Sequence, residues 1–185
     1  MVDRNILIRN IMPLLAATLV LVCSVGCKPP IPVTGQVENV ELAGRMFKLE
    51  LSNTNDSREL GLSGRSEIAS DGGMLFVFPE AKPLRFWMRN CLTDMDIMYI
   101  DPLGHITAFY TMTIEPPQRN DETDFMYESR LPGYPSGYDA QYVIELAPGT
   151  INELGLKRGE KLPLDLERFK KIATTAEYPP PPPTR

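Results

Sequence analysis

The sequence predicts an all-β single domain, a sandwich or barrel with short helices and one C-terminal helix. Three observations carry this. Residues 36–163 break into many short apolar or alternating runs, the pattern of strands rather than of long helices. Gly, Pro, Asn and Asp punctuate those runs, and little helical periodicity intervenes. Only the stretch Asp165 to Ala176 carries a helical stripe, with Leu166, Phe169, Ile172 and Ala173 on one face.

Taken in order, Val37, Val40 and Leu42 open a strand, and Met46 to Leu51 partly alternates as a half-buried strand does. Asp56 to Leu60 reads as a short helical turn capped by Thr54, Asn55 or Asp56. Gly72-Gly73 precedes Met74 to Phe78, a continuous apolar run that suits a strand buried on both faces. Pro79 is expected to end it. Leu84 to Met88 and Met95 to Ile100 are the next two strands. Asp101-Pro102-Leu103-Gly104 has type I turn chemistry and predicts a hairpin from Met95–Ile100 into Ile106–Thr113.

From Ile114 to Gln141 the chain is polar and turn-rich, a long connection of the kind that is functional or slack. Tyr142 to Leu146 resumes the sheet. Thr150 and Glu153 fit a capping box over the short helix Ile151 to Leu154. Lys161 to Leu164 is expected as a last strand.

The first segment reads as an address. Arg4 and Arg9 precede an apolar core, Ile11 to Val22, too short for a membrane span, followed by Ser24-Val25-Gly26-Cys27. This is the pattern of a bacterial lipobox, so residues 1–26 are expected to leave as a signal peptide and Cys27 to carry lipid (palmitate among its acyl chains). Residues 27–35 form a Pro-rich tether ahead of the domain at 36–164, helix at 165–176 and a polyproline tail at 177–185. Lys28 stands where an inner-membrane retention signal would place Asp, which favours the outer membrane. The expected location is thus the cell envelope, lipid-anchored and facing the periplasm.

Charge and cysteine usage agree. The chain holds 19 Lys and Arg against 24 Asp and Glu, a net charge of -5. Loss of Asp3, Arg4 and Arg9 with residues 1–26 leaves 17 against 23. An acidic body of this kind is not expected to bind nucleic acid, nor to be drawn to anionic lipid. The mature chain keeps one free thiol, Cys91, so it can form no intrachain disulfide.

Residues 61–104 carry a resemblance. Gly61-Leu62 with Arg65, Gly73 to Phe78, the string Phe86-Trp87-Met88-Arg89-Asn90, then Asp96-Ile97 and Gly104 occur in order. Tyr142 to Leu146, Gly149, Gly155 and Gly159 continue it. Over about residues 36–164 the chain resembles the bacterial and archaeal family catalogued as domain of unknown function 192. The resemblance implies a compact β-sandwich of jelly-roll type and no established activity. The chain departs from the family pattern at Ser63 (usually Met), Cys91 (usually Thr) and Asp94 (usually Pro), and Gln118 to Arg130 reads as an insertion.

The residues that could recognise a ligand cluster in Arg85 to Asn90. As a strand, this segment would turn Arg85, Trp87 and Arg89 to one side, where two guanidiniums flanking an indole can hold a carboxylate, phosphate or sugar-like ligand. Phe86, Met88 and Asn90 would face the other way, and the plainer reading makes Trp87 packing covered by arginine stems. The expected ligand-binding set is Arg85, Trp87, Arg89, Asn90 and Asp96, joined by Arg65 and Tyr134 from facing loops. A structural Asp–Arg pair is the alternative for Asp96.

Other chemistries have weaker patterns. The methionines (Met46, Met74, Met88, Met95, Met98, Met112, Met126) with Cys91 and His105 could suit a soft metal, but no repeated Met-x-x-Met array is present and methionine commonly fills cores. Cys91 and His105 could form a nucleophile–base pair only if the fold joined them. Asp96 with Glu115 or Asp139 could form a carboxylate pair. Asn120 to Asp124 lacks the spacing of a calcium loop and reads as a solvated loop. No catalytic residue, metal or cofactor is therefore assigned. The sequence favours a non-catalytic envelope module that binds a small molecule. An envelope enzyme using Cys91, His105 or the acids, and a module whose partner is an envelope protein, are the alternatives.

Overall fold

The computed structural model describes residues 35–177. The signal segment, Cys27, the tether up to Thr34 and the polyproline tail from Tyr178 lie outside the described residues. Six strands join in one mixed sheet, and the expected all-β single domain forms. In chain order the strands are β1 (Val37–Leu42), β2 (Arg45–Ser52), β3 (Gly72–Phe86), β4 (Met95–Ile100), β5 (Ile106–Met112) and β6 (Tyr134–Leu146). Their spatial order is β1-β2-β3-β6-β4-β5.

β1 and β2 form a hairpin over Ala43-Gly44, both at positive φ, as a two-residue turn between twisted strands requires. β2 then runs parallel to β3, and the crossover carries α1 (Asn55–Leu60). Thr54 caps α1 through its side chain, with Ser57 reciprocating, which settles the choice among the three candidate caps. β6 lies between β3 and β4 and is antiparallel to both.

Several boundaries differ from those expected. Pro79 does not end its strand: β3 continues through fifteen residues, and Leu84 to Phe86 belong to it rather than to a separate strand. A register shift against β6 between Val77 and Lys82 absorbs the proline, whose ring removes a ladder donor. Gln141 Nε2 there donates to the carbonyls of Phe78 and Pro79, at 3.3 and 3.2 Å. The polar connection is shorter than expected, because β6 already begins at Tyr134 and because α2 (Asp124–Arg130) forms within it. Lys161 to Leu164 gives only an isolated bridge from Lys161 to His105.

The hairpin at Asp101 to Gly104 forms as expected, with Asp101 Oδ1 accepting from the amides of Leu103 and His105. α4 (Leu166–Glu177) matches the periodic stripe, burying Phe169 and Ala173.

The central strands are apolar on both sides because both sides of the sheet are covered. Leu75, Val77, Met98, Ile100, Ile144 and Leu146 face one core, closed by α4 and by α3 (Thr150–Leu154). Met74, Phe76, Phe78, Ile97, Tyr99 and Val143 face the other. The two-residue alternation of a strand distributes each run between them. The second core is only partly closed, and its open part is the site described next.

Candidate functional site

A cleft of about 660 Å³ opens on the second face of the sheet. Its walls are α1 and the turn after it, the distal half of β3 with the segment to Cys91, and Glu128 of α2. Arg85, Trp87, Arg89 and Asn90 all line it, so four of the seven expected binding residues come together. β3 ends at Phe86, so the strict strand alternation expected over residues 85–90 stops there. Trp87 is nevertheless 46% exposed and Met88 1%, which puts the indole at the surface and the thioether in the core.

Arg89 is braced from α2. Its Nε lies 2.9 Å from Glu128 Oε1 but off the hydrogen-bond direction, making the contact an ion pair. Asn90 stands in the left-handed region at φ 56°, a conformation Asn tolerates, and its amide donates to the buried Tyr127 hydroxyl at 3.1 Å. The segment that read as an insertion therefore supplies one wall of the cleft. It is held together by Glu122, which is buried rather than solvated as expected: it accepts from Arg130 Nε at 2.9 Å and from the Arg119 amide at 2.8 Å. These bonds hold its carboxyl down at about 2.

The other three expected residues serve elsewhere. Arg65 is held bidentate by Glu50, with one contact at 2.7 Å, and does not line the cleft. Asp96 is 1% exposed and pairs with no arginine. Its oxygens accept from Thr111 Oγ1 at 2.7 Å and from the Ile151 amide at 2.8 Å, so it secures the first turn of α3 to the sheet. Both oxygens are thus engaged, and Asp96 is not free to join Glu115 or Asp139. Gly149 is the residue that caps α3, and the expected Thr150–Glu153 box does not form. Tyr134 pairs with Phe86 across the ladder and gives its carbonyl to the Tyr99 hydroxyl at 2.5 Å, a structural place beside the cleft rather than in it.

The floor holds a residue that sequence reasoning passed over. Glu145 is the penultimate residue of β6, opposite Met74 on one side and Ile97 on the other. Alternation turns it to the cleft face, where it is 5% exposed. Its Oε2 is buried and has no hydrogen-bond partner. Burial pushes its carboxyl up to about 8, and the Arg65 charge only partly opposes this. Gly61, at φ 52°, closes over it: a Cβ there would stand 3.5 Å from the Phe76 ring and 3.7 Å from Glu145 Oε2. The signal in the sequence was a lone acid within the otherwise apolar strand run Tyr142 to Leu146.

Cys91 also lines the cleft, half-buried, while His105 lines a different hollow and pairs with Asp101 at 3.2 Å. The nucleophile–base pair is not assembled. Burial, aided by the Glu145 charge, pushes the Cys91 thiol up to about 11, which disfavours the nucleophilic thiolate. Ser63, a second departure from the family pattern, lines the cleft beside it and donates to the Arg89 carbonyl at 2.9 Å.

The model of an uncharacterised ACR family, DUF192, matches residues 38–164. The chain belongs to the DUF192 family. Solved structures that resemble it include the following two. One, from Sinorhizobium meliloti 1021, was solved as a candidate transcription regulator. It is 30% identical with a TM-score of 0.53, over 68% of this chain and 89% of that one. The other, of unknown function from Novosphingobium aromaticivorans DSM 12444, is 24% identical with a TM-score of 0.59, over 72% of this chain and 90% of that one. No curated protein matches. The DUF192 match covers every strand except the first residue of β1, and it contains the whole cleft.

Proposed function

We propose that this DUF192 protein is a lipid-anchored envelope lipoprotein whose domain binds a small molecule in the cleft, without transforming it. The observation that carries the binding reading is the convergence of Arg85, Trp87, Arg89 and Asn90 on one concave surface of about 660 Å³. That volume suits a small ligand, and a few polar groups over an apolar floor are what such sites present. The anchor rests on Cys27 and the segment before it. Among the described residues no helix is long and apolar enough to cross a membrane.

The Sinorhizobium relative, solved as a candidate transcription regulator, raises transcription control as a second reading. The acidic balance of this chain weighs against contact with DNA. An envelope enzyme is disfavoured by the separation of Cys91 from His105 and by the raised thiol.

Native mass spectrometry of the protein purified from an envelope extract tests the binding reading. A small molecule retained by the wild type and lost in Trp87→Ala, with the thermal midpoint unchanged, is the expected result. A Trp87→Ala variant that loses stability but keeps the molecule would make Trp87 a packing residue.

A further inference from the structure

The cleft has two electrostatically distinct ends. At the floor, Glu145 Oε2 is an acceptor with no donor from the protein, between the apolar side chains of Met74 and Ile97. The nearest cation in charge terms, Arg65, is already neutralised by its bidentate bond to Glu50. A buried carboxyl left unpaired is costly to a fold, so its retention here needs a use. At the mouth, Arg85 is exposed and makes no hydrogen bond or ion pair among the described residues. Lys82 has only the Phe78 ring, 5.6 Å from its Nζ. Arg89, by contrast, is committed to Glu128.

Building on the binding reading above, we propose that the ligand is a small zwitterion, its amine seated on Glu145 at the floor and its carboxylate or other anionic group held by Arg85 and Lys82 at the mouth. An ammonium is the group that supplies Glu145 with both a donor and a countercharge. Guanidinium and ammonium side chains at the entrance suit the opposite end, since a planar guanidinium binds a carboxylate bidentately. Free amino acids and short peptides share this chemistry, and the mass of the retained molecule separates them.

Gly133 fixes the position of Arg85. A Cβ on Gly133 would stand 1.6 Å from Arg85 Nε, so the guanidinium occupies the space that a side chain there would take. Replacing Gly133 by Ala evicts the guanidinium without altering Arg85.

The test uses the full-length protein and the fluorescence of Trp87, the single tryptophan of the chain, at the cleft wall. Glycine, γ-aminobutyrate and ε-aminocaproate are titrated against their one-ended counterparts, the matching carboxylates and alkylamines. At least one zwitterion should bind with an affinity at least about tenfold above either counterpart, a difference of about 1.4 kcal/mol. Glu145→Gln should remove the preference over the carboxylate, and Arg85→Ala and Gly133→Ala the preference over the amine.

Tight binding that survives Glu145→Gln, or an envelope-retained molecule that lacks an amine, overturns the zwitterion inference while leaving the binding reading intact. A cleft empty from the envelope and silent to every probe overturns both.

Discussion

At the residue scale the decisive group is Glu145, and its titration should show in stability as a function of pH. Its carboxyl moves from the ordinary 4.5 to about 8 on folding, chiefly through burial. An acid raised in this way binds a proton more tightly when folded. Its contribution to stability is therefore complete below the unfolded value and is lost as pH rises through the folded one. Glu145→Gln removes that dependence. Relative to wild type, the variant should gain stability between about pH 5 and pH 9, by an amount on the order of several kcal/mol at about 1.4 kcal/mol per pKa unit. Urea midpoints of the two proteins across that range measure it, and parallel curves would show that the carboxyl is not displaced. Trp87 gives the contrasting case. At 46% exposure its truncation should change stability by less than about 1 kcal/mol while abolishing ligand retention.

At the scale of elements, the sequence was most legible where one local rule dominated. The α1 cap, the Asp101–Gly104 turn and the stripe of α4 follow from short-range chemistry and form as expected. It was least legible where a tertiary partner replaced the local one. Pro79 reads as a stop, yet Gln141 from β6 donates to the carbonyls around it and the strand continues. Thr150 and Glu153 read as a capping box, yet their amides bond the carbonyls of Ala147 and Gly149, and the Ile151 amide beside them is met by Asp96, remote in sequence. The four cleft residues in the Arg85–Asn90 string were readable because they are contiguous. Glu145 was hidden because its partnerless state is a property of the fold.

The Asp96 reading has its own test. Asp96→Ala strands the buried Ile151 amide and should cost about 1–3 kcal/mol for the unmet donor. The denaturation midpoint should fall with its slope unchanged, and ligand retention should persist, since Asp96 does not line the cleft. Loss of retention at unchanged stability would instead return Asp96 to the binding set.

At the scale of the whole molecule, charge decides how the domain can be held at a membrane. Without residues 1–26 the chain carries 17 cationic against 23 acidic side chains, so an anionic bilayer repels rather than gathers it. Among the described residues no helix can span. Membrane association in this reading therefore depends wholly on acyl chains at Cys27, each buried methylene contributing about 0.8 kcal/mol. Cys27→Ser should move the protein from the membrane pellet to the soluble fraction and abolish incorporation of labelled palmitate, while the cleft still retains its ligand. Raising salt should leave the wild type in the pellet, because an acyl anchor, unlike a basic patch, is not screened. A Cys27→Ser protein that stays in the pellet and leaves it at high salt would locate the attachment on the folded domain instead. The exposed Phe125 and Met126 of α2, at 80% and 51%, would then be the first side chains to substitute.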